Sequence, residues 1–273
     1  MTPVRGRLTL LLAALSVVGT LAGGSAAYAF NDQTAVEWSE NYYLSPEPDR
    51  VPEAIAYLRS RHIMSVDNRH ARGLIGLFAA IFHDHPQKIE LWLADVGKYS
   101  PDEQKMLLQS AWLSDTAEGR AVLAAQGPER LSRLFGQDVA KVAPPSFANL
   151  SIDDPTNVDI LWGHFYGTGD GADVRRIIAA TKNIGQPTYI KDKVNLPGKI
   201  SSDAVKNLTK NSINQPKVFA VVRAEATAHP NNITLKNIVL HVQDEQNHVT
   251  AVERAEIDNP KPPCEAYTIC KDQ

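Results

Sequence analysis

The chain has only two cysteines in 273 residues, and both lie at its end, as Cys264-Glu-Ala-Tyr-Thr-Ile-Cys270. That excludes a cysteine-rich metal module, and the spacing is not the tight C-x-x-C of a redox pair. Positive charge is not in excess either. Twenty-eight Lys and Arg face 31 Asp and Glu, a formal charge of −3, so the basic surface a nucleic-acid binder needs is missing. The run Leu8–Val18 has 11 residues, and no stretch reaches the roughly 18 apolar residues of a membrane span. Nucleophile signatures are lacking too: there is no G-x-S-x-G, no H-E-x-x-H and no S-x-x-K. No motif in the sequence specifies an activity.

What is present begins with a processing signal. Arg5 and Arg7 precede the apolar run, and Ala27-Tyr28-Ala29 has the A-x-A form of a cleavage site. Residues 1–29 therefore read as a signal peptide, and the chain as an exported, soluble protein, periplasmic or secreted, that starts near Phe30. The leader takes two arginines and no acid with it, which leaves a charge of −5. In an oxidising compartment Cys264 and Cys270 are expected to pair with each other. So small a loop constrains the unfolded chain by only ~2 kcal/mol, a staple on the tail 259–273.

The spacing of apolar residues predicts an all-α fold, an array of short antiparallel helical hairpins that is solenoid-like or an irregular bundle. Residues 30–49 read as an irregular entry with room for one short helix. Helices are expected from Pro52 to Ile63, after a cap at Asp67 or Asn68, and from Pro86 to Leu93. Further helices are expected from the capping box Ser100-Pro-Asp-Glu103, over Ala117–Ala125 and over Pro128–Phe135. Ala143-Pro-Pro-Ser146 opens a linker, 143–153, between helical regions 30–142 and 154–258. Within 183–200 a polar loop with two prolines and two glycines is expected, with room for a short strand at Thr188–Ile190. Helical signals resume at Ser202-Asp203 and again after Pro216. A last helix covers Asn232–Ile257, with a strand alternative for its β-branched first part.

The clearest segment is Asp154–Ile178. Asp154 and Pro155 make a helix start, and Val158, Leu161, Trp162 and Phe165 line one face. Gly167, Gly169 and Gly171 read as a break, and Val174, Ile177 and Ile178 restart the spacing. Glycines at Gly167-Thr-Gly169-Asp-Gly171 suggest a phosphate loop, but a helix precedes them where a strand is required. The remaining chemical option there is an anion at Gly169, Asp170 and Gly171, where free N–H groups open a helix. Asp170 and Asp173 are explained as a cap and a first-turn carboxylate.

A metal option lies on the last helix. His241, Glu245 and His248 fall at i, i+4, i+7 on one face, and Glu245–His248 has the E-x-x-H spacing of carboxylate-bridged di-metal bundles. No second E-x-x-H accompanies it, and a solvated polar face explains the same residues. His83-Asp84-His85 straddles a helix end, where the helix dipole alone favours histidine.

The residues Asp159-Ile-Leu-Trp-Gly-His-Phe-Tyr-Gly-Thr-Gly-Asp170, with Val174-Arg-Arg-Ile-Ile178, resemble a pattern of an uncharacterised family of exported bacterial all-helical proteins. The resemblance covers about 20 residues, and departs from the pattern where Gly167 replaces a small alanine. It implies an all-α fold and export, and carries no catalytic residue. The expectation is an exported helical scaffold or binding protein with no cofactor, no nucleic-acid partner and a protein as candidate partner. The alternative is a metal-dependent enzyme built on His241, Glu245 and His248.

Overall fold

The computed structural model describes residues 30–65 and 68–258. The signal peptide, the Cys264–Cys270 pair, the tail and the cap expected at Asp67 lie outside the described residues. Within them the chain is mostly helical. The N-terminal region holds α1 (Asp32–Asn41), α2 (Val51–Ser60), α3 (Arg69–Asp84), the single turn α4 (Ile89–Trp92), α5 (Pro101–Leu113), α6 (Ala117–Ala125) and α7 (Pro128–Phe135). Then follow α8 (Pro155–Thr168), α9 (Gly171–Ala179), α10 (Leu196–Asn214), α11 (Pro216–Ala228) and α12 (Ile233–Asp258). Between α9 and α10 stands a two-stranded antiparallel hairpin of β1 (Tyr189–Ile190) and β2 (Lys193–Val194).

Local signals place most of these ends. Ser100 Oγ accepts from the Glu103 N–H while Glu103 Oε2 accepts from the Ser100 N–H at 2.8 Å, the reciprocal cap expected of that sequence. Asp154 caps α8 and Asp170 caps α9, each accepting an N–H two residues on at 2.8 Å.

The architecture rests on α3 against α8, the most extensive helix pair. Two glycines on each helix meet at the crossing. A Cβ on Gly76 would lie 1.9 Å from the Ile160 carbonyl oxygen, and one on Gly163 would lie 1.6 Å from the Gly73 carbonyl oxygen. The two backbones touch with nothing between them, which brings the flanking apolar side chains into dense contact. Phe78, Ile81 and Phe82 of α3 and Leu161, Trp162 and Phe165 of α8 are all buried in the same hydrophobic cluster. Helix α5 covers another side of α3 with Met106, Leu107 and Leu108, and α9–α12 pack on one another beyond α8.

One hydrophobic cluster runs through the regions on both sides of 143–153. The α3–α8 pairing joins helices far apart in sequence, which is a bundle feature. In a solenoid each unit touches only its neighbours.

Four local expectations change. Gly167 does not break α8, which continues to Thr168; a Cβ there would meet the Ala80 Cβ at 2.4 Å, so this glycine serves the crossing. The helix expected over Pro86–Leu93 is a 3-10 turn, Pro86–Lys88, followed by the single turn α4. Helix α10 starts at Leu196, six residues before Ser202, because Pro197 fits a first helical turn. The first part of α12 is helical despite its β-branched residues, since Leu235, Ile238 and Val242 bury one helical face.

Candidate functional site

Helix α8 ends where Gly169 turns left-handed (φ 65°) and its N–H bonds the Phe165 carbonyl at 2.6 Å. The corner then closes on itself. Thr168 Oγ1 donates to the His164 carbonyl at 2.9 Å and accepts from the Asp170 N–H at 3.0 Å. Asp170 occupies the start of α9 with its own carboxylate. The anion option at Gly169, Asp170 and Gly171 thus gains no support. An incoming anion would meet the Asp170 carboxylate, with Asp173 close behind.

Asp173 does something the sequence did not suggest. It is 4% exposed, and its Oδ2 accepts from His164 Nδ1 at 2.7 Å across the corner. The Phe147 ring stacks on the imidazole, centroids 3.7 Å apart and 19° between planes. Burial pushes the Asp173 carboxyl above the usual carboxylate range; the hydrogen bond and charge of His164 pull it back, and the Asp170 charge adds to the rise. An imidazole oriented by a buried carboxylate is two-thirds of a nucleophilic triad. Within the fold the pair ties α8 to α9. Sequence reading passed over it because a first-turn aspartate already has a sufficient local explanation. The clue was its partner, a histidine within an otherwise apolar face nine residues earlier.

The other sequence candidates stay apart. His241, Glu245 and His248 are exposed along α12. No group of three or more His, Cys, Asp or Glu among the described residues is arranged to hold a metal ion. His83 donates from Nδ1 to the Ser114 carbonyl at 2.9 Å, tying α3 to the end of α5, while His85 packs edge-on against Trp92.

A polar junction joins the start of the chain to the α10–α11 joint. Gln215, buried, donates to the Glu40 carbonyl at 3.1 Å and to Asn41 Oδ1 at 2.9 Å, and accepts from the Tyr43 hydroxyl at 3.0 Å. Nearby, Tyr166 donates to Asn211 Oδ1 at 2.7 Å, and burial pushes its hydroxyl up.

A concavity lies elsewhere, between the start of α5, the end of α6 and the start of α7. It is an open groove of about 660 Å³ whose lining includes Gln104, Gln126, Glu129, Arg130, Arg133 and Leu134. Arg130 is held in place, donating from Nε to Gln104 Oε1 at 3.2 Å and from Nη2 to the Gly97 carbonyl at 3.4 Å. Gln104 in turn donates to the Tyr99 carbonyl at 2.6 Å. Arg133 is exposed at the rim. Sequence reading named none of these as a site, because the groove forms only where three helix ends converge.

Compared with family models, curated proteins and solved structures, the chain finds no match.

Proposed function

We propose that the protein is an exported helical scaffold that binds a polar, acidic polypeptide segment in the α5–α7 groove. The observation that carries this is the fixed guanidinium of Arg130 in a groove of about 660 Å³ with Arg133 at its rim. That volume is in the range of ligand sites, and the open groove sets Arg130, Arg133, Gln104 and Gln126 among apolar atoms. Arginines match carboxylates: the guanidinium fork fits the two carboxylate oxygens of an Asp- or Glu-bearing segment. Export follows from the leader read in residues 1–29 and from the resemblance of the Asp159–Asp170 segment.

Panning a displayed random-peptide library on the protein tests the reading. Enriched peptides should carry Asp or Glu and lose at least about tenfold in affinity, 1.4 kcal/mol, against an R130A/R133E variant. No enrichment, or peptides that bind the variant equally well, would overturn it.

A further inference from the structure

The β1–β2 hairpin projects apolar side chains into solvent. Tyr189, Ile190 and Val194 are 61%, 51% and 50% exposed, and Ile184 and Leu196 at its base are also exposed. Single exposed apolar residues are ordinary, but five gathered on one projection mark a surface that meets something. The projection is also built. Lys191 and Asp192 at its tip both take left-handed backbone (φ 49° and 62°), the geometry of a tight hairpin turn. At the base Asn195 donates to the Pro187 carbonyl from Nδ2 at 2.7 Å and to the Thr188 carbonyl from its N–H at 2.8 Å. A Cβ on Gly198 would lie 2.6 Å from the Pro187 carbonyl oxygen, so the start of α10 is pressed against the hairpin.

Charge indicates what the hairpin meets. The chain as a whole is acidic, yet residues 182–199 hold four lysines and one aspartate. Lys182 pairs with Asp153 and Lys199 with Asp203, whereas Lys191 and Lys193, both exposed, have no ion-pair partner among the described residues. A second copy added edge to edge would bring the two sets of lysines together, the arrangement that keeps natural sheet edges apart. A protein interface needs about 800 Å² on each partner, more than so small a tip offers. A lipid surface needs less: a few apolar side chains in the headgroup region, a tyrosine at the interface, and lysines reaching phosphate.

We propose that the β1–β2 hairpin docks the protein peripherally on an anionic phospholipid surface, with Tyr189, Ile190 and Val194 entering the headgroup layer and Lys191 and Lys193 meeting phosphates. It does not depend on the groove.

The test is co-sedimentation of the exported chain, from Phe30, with vesicles of phosphatidylcholine alone or with one-third phosphatidylglycerol. Binding should require phosphatidylglycerol, weaken as salt rises, and fall at least tenfold in both Y189D/I190D and K191E/K193E. These positions are exposed, so the variants should keep wild-type circular dichroism and melting. R133E, at the groove, should bind vesicles like wild type. No binding, equal binding to both vesicles, or binding that survives both hairpin variants would overturn the proposal. So would a hairpin-dependent dimer in solution.

Discussion

Gly163 of α8 lies directly against the carbonyl of Gly73 on α3, so that a single added methyl would sit 1.6 Å from that oxygen. The relationship is not symmetric. A Cβ on Gly73 would meet only the Asp159 carbonyl oxygen, at an ordinary 3.6 Å. Gly163→Ala should therefore force the helices apart and destabilise by about 3 kcal/mol or more. Gly73→Ala should be neutral or stabilise by up to about 1 kcal/mol, from helix propensity alone. Urea midpoints of the two variants check this; equal effects would mean the crossing is not in backbone contact.

Asp173 supplies a pH signature. Its carboxyl is raised above its ordinary 3.8 mainly by burial, so the folded chain holds that proton more tightly than the unfolded chain. Stability should then be fully present below the unfolded value and decline as pH rises through the folded one. Asp173→Asn keeps an acceptor for His164 and removes the charge. The difference in unfolding free energy, wild type minus variant, should become less favourable to wild type between acid and neutral pH. Urea unfolding at several pH values reads it; a flat difference would refute the burial.

Gln215 should behave as a fastener for the N-terminal helix. Gln215→Ala strands the Tyr43 hydroxyl, the Glu40 carbonyl and the Asn41 side chain in a partly buried place, costing about 2–3 kcal/mol. Hydrogen exchange should quicken first in 32–44, ahead of α3 and α8. Uniform acceleration through the chain would contradict that role.

On α12, alanine at His241, Glu245 and His248 together should change stability by no more than about 0.5 kcal/mol, because all three are exposed. Elemental analysis should find the same metal content before and after. Stoichiometric zinc, iron or manganese lost only in the variant would favour the metal-dependent reading.

Residues acting within a turn or two were readable without the structure. Asp154, Ser100 and Asp170 cap as their spacing said, and the apolar period at Val158, Leu161, Trp162 and Phe165 became a buried face. A cap or a helical face is set by neighbours in the chain, so the sequence alone determined an all-α fold and most helix boundaries. Tertiary structure decided what pairs with what. Gly167 looks like a breaker until Ala80 stands against it, and Asp173 looks like a helix-start carboxylate until His164 turns toward it. The groove by Arg130 was illegible for the same reason; of the lysine-tipped hairpin only a short strand at Thr188–Ile190 was legible, where β1 stands. Each exists only where segments distant in sequence, or a turn with two left-handed residues, converge, and a one-dimensional pattern carries no record of such distances.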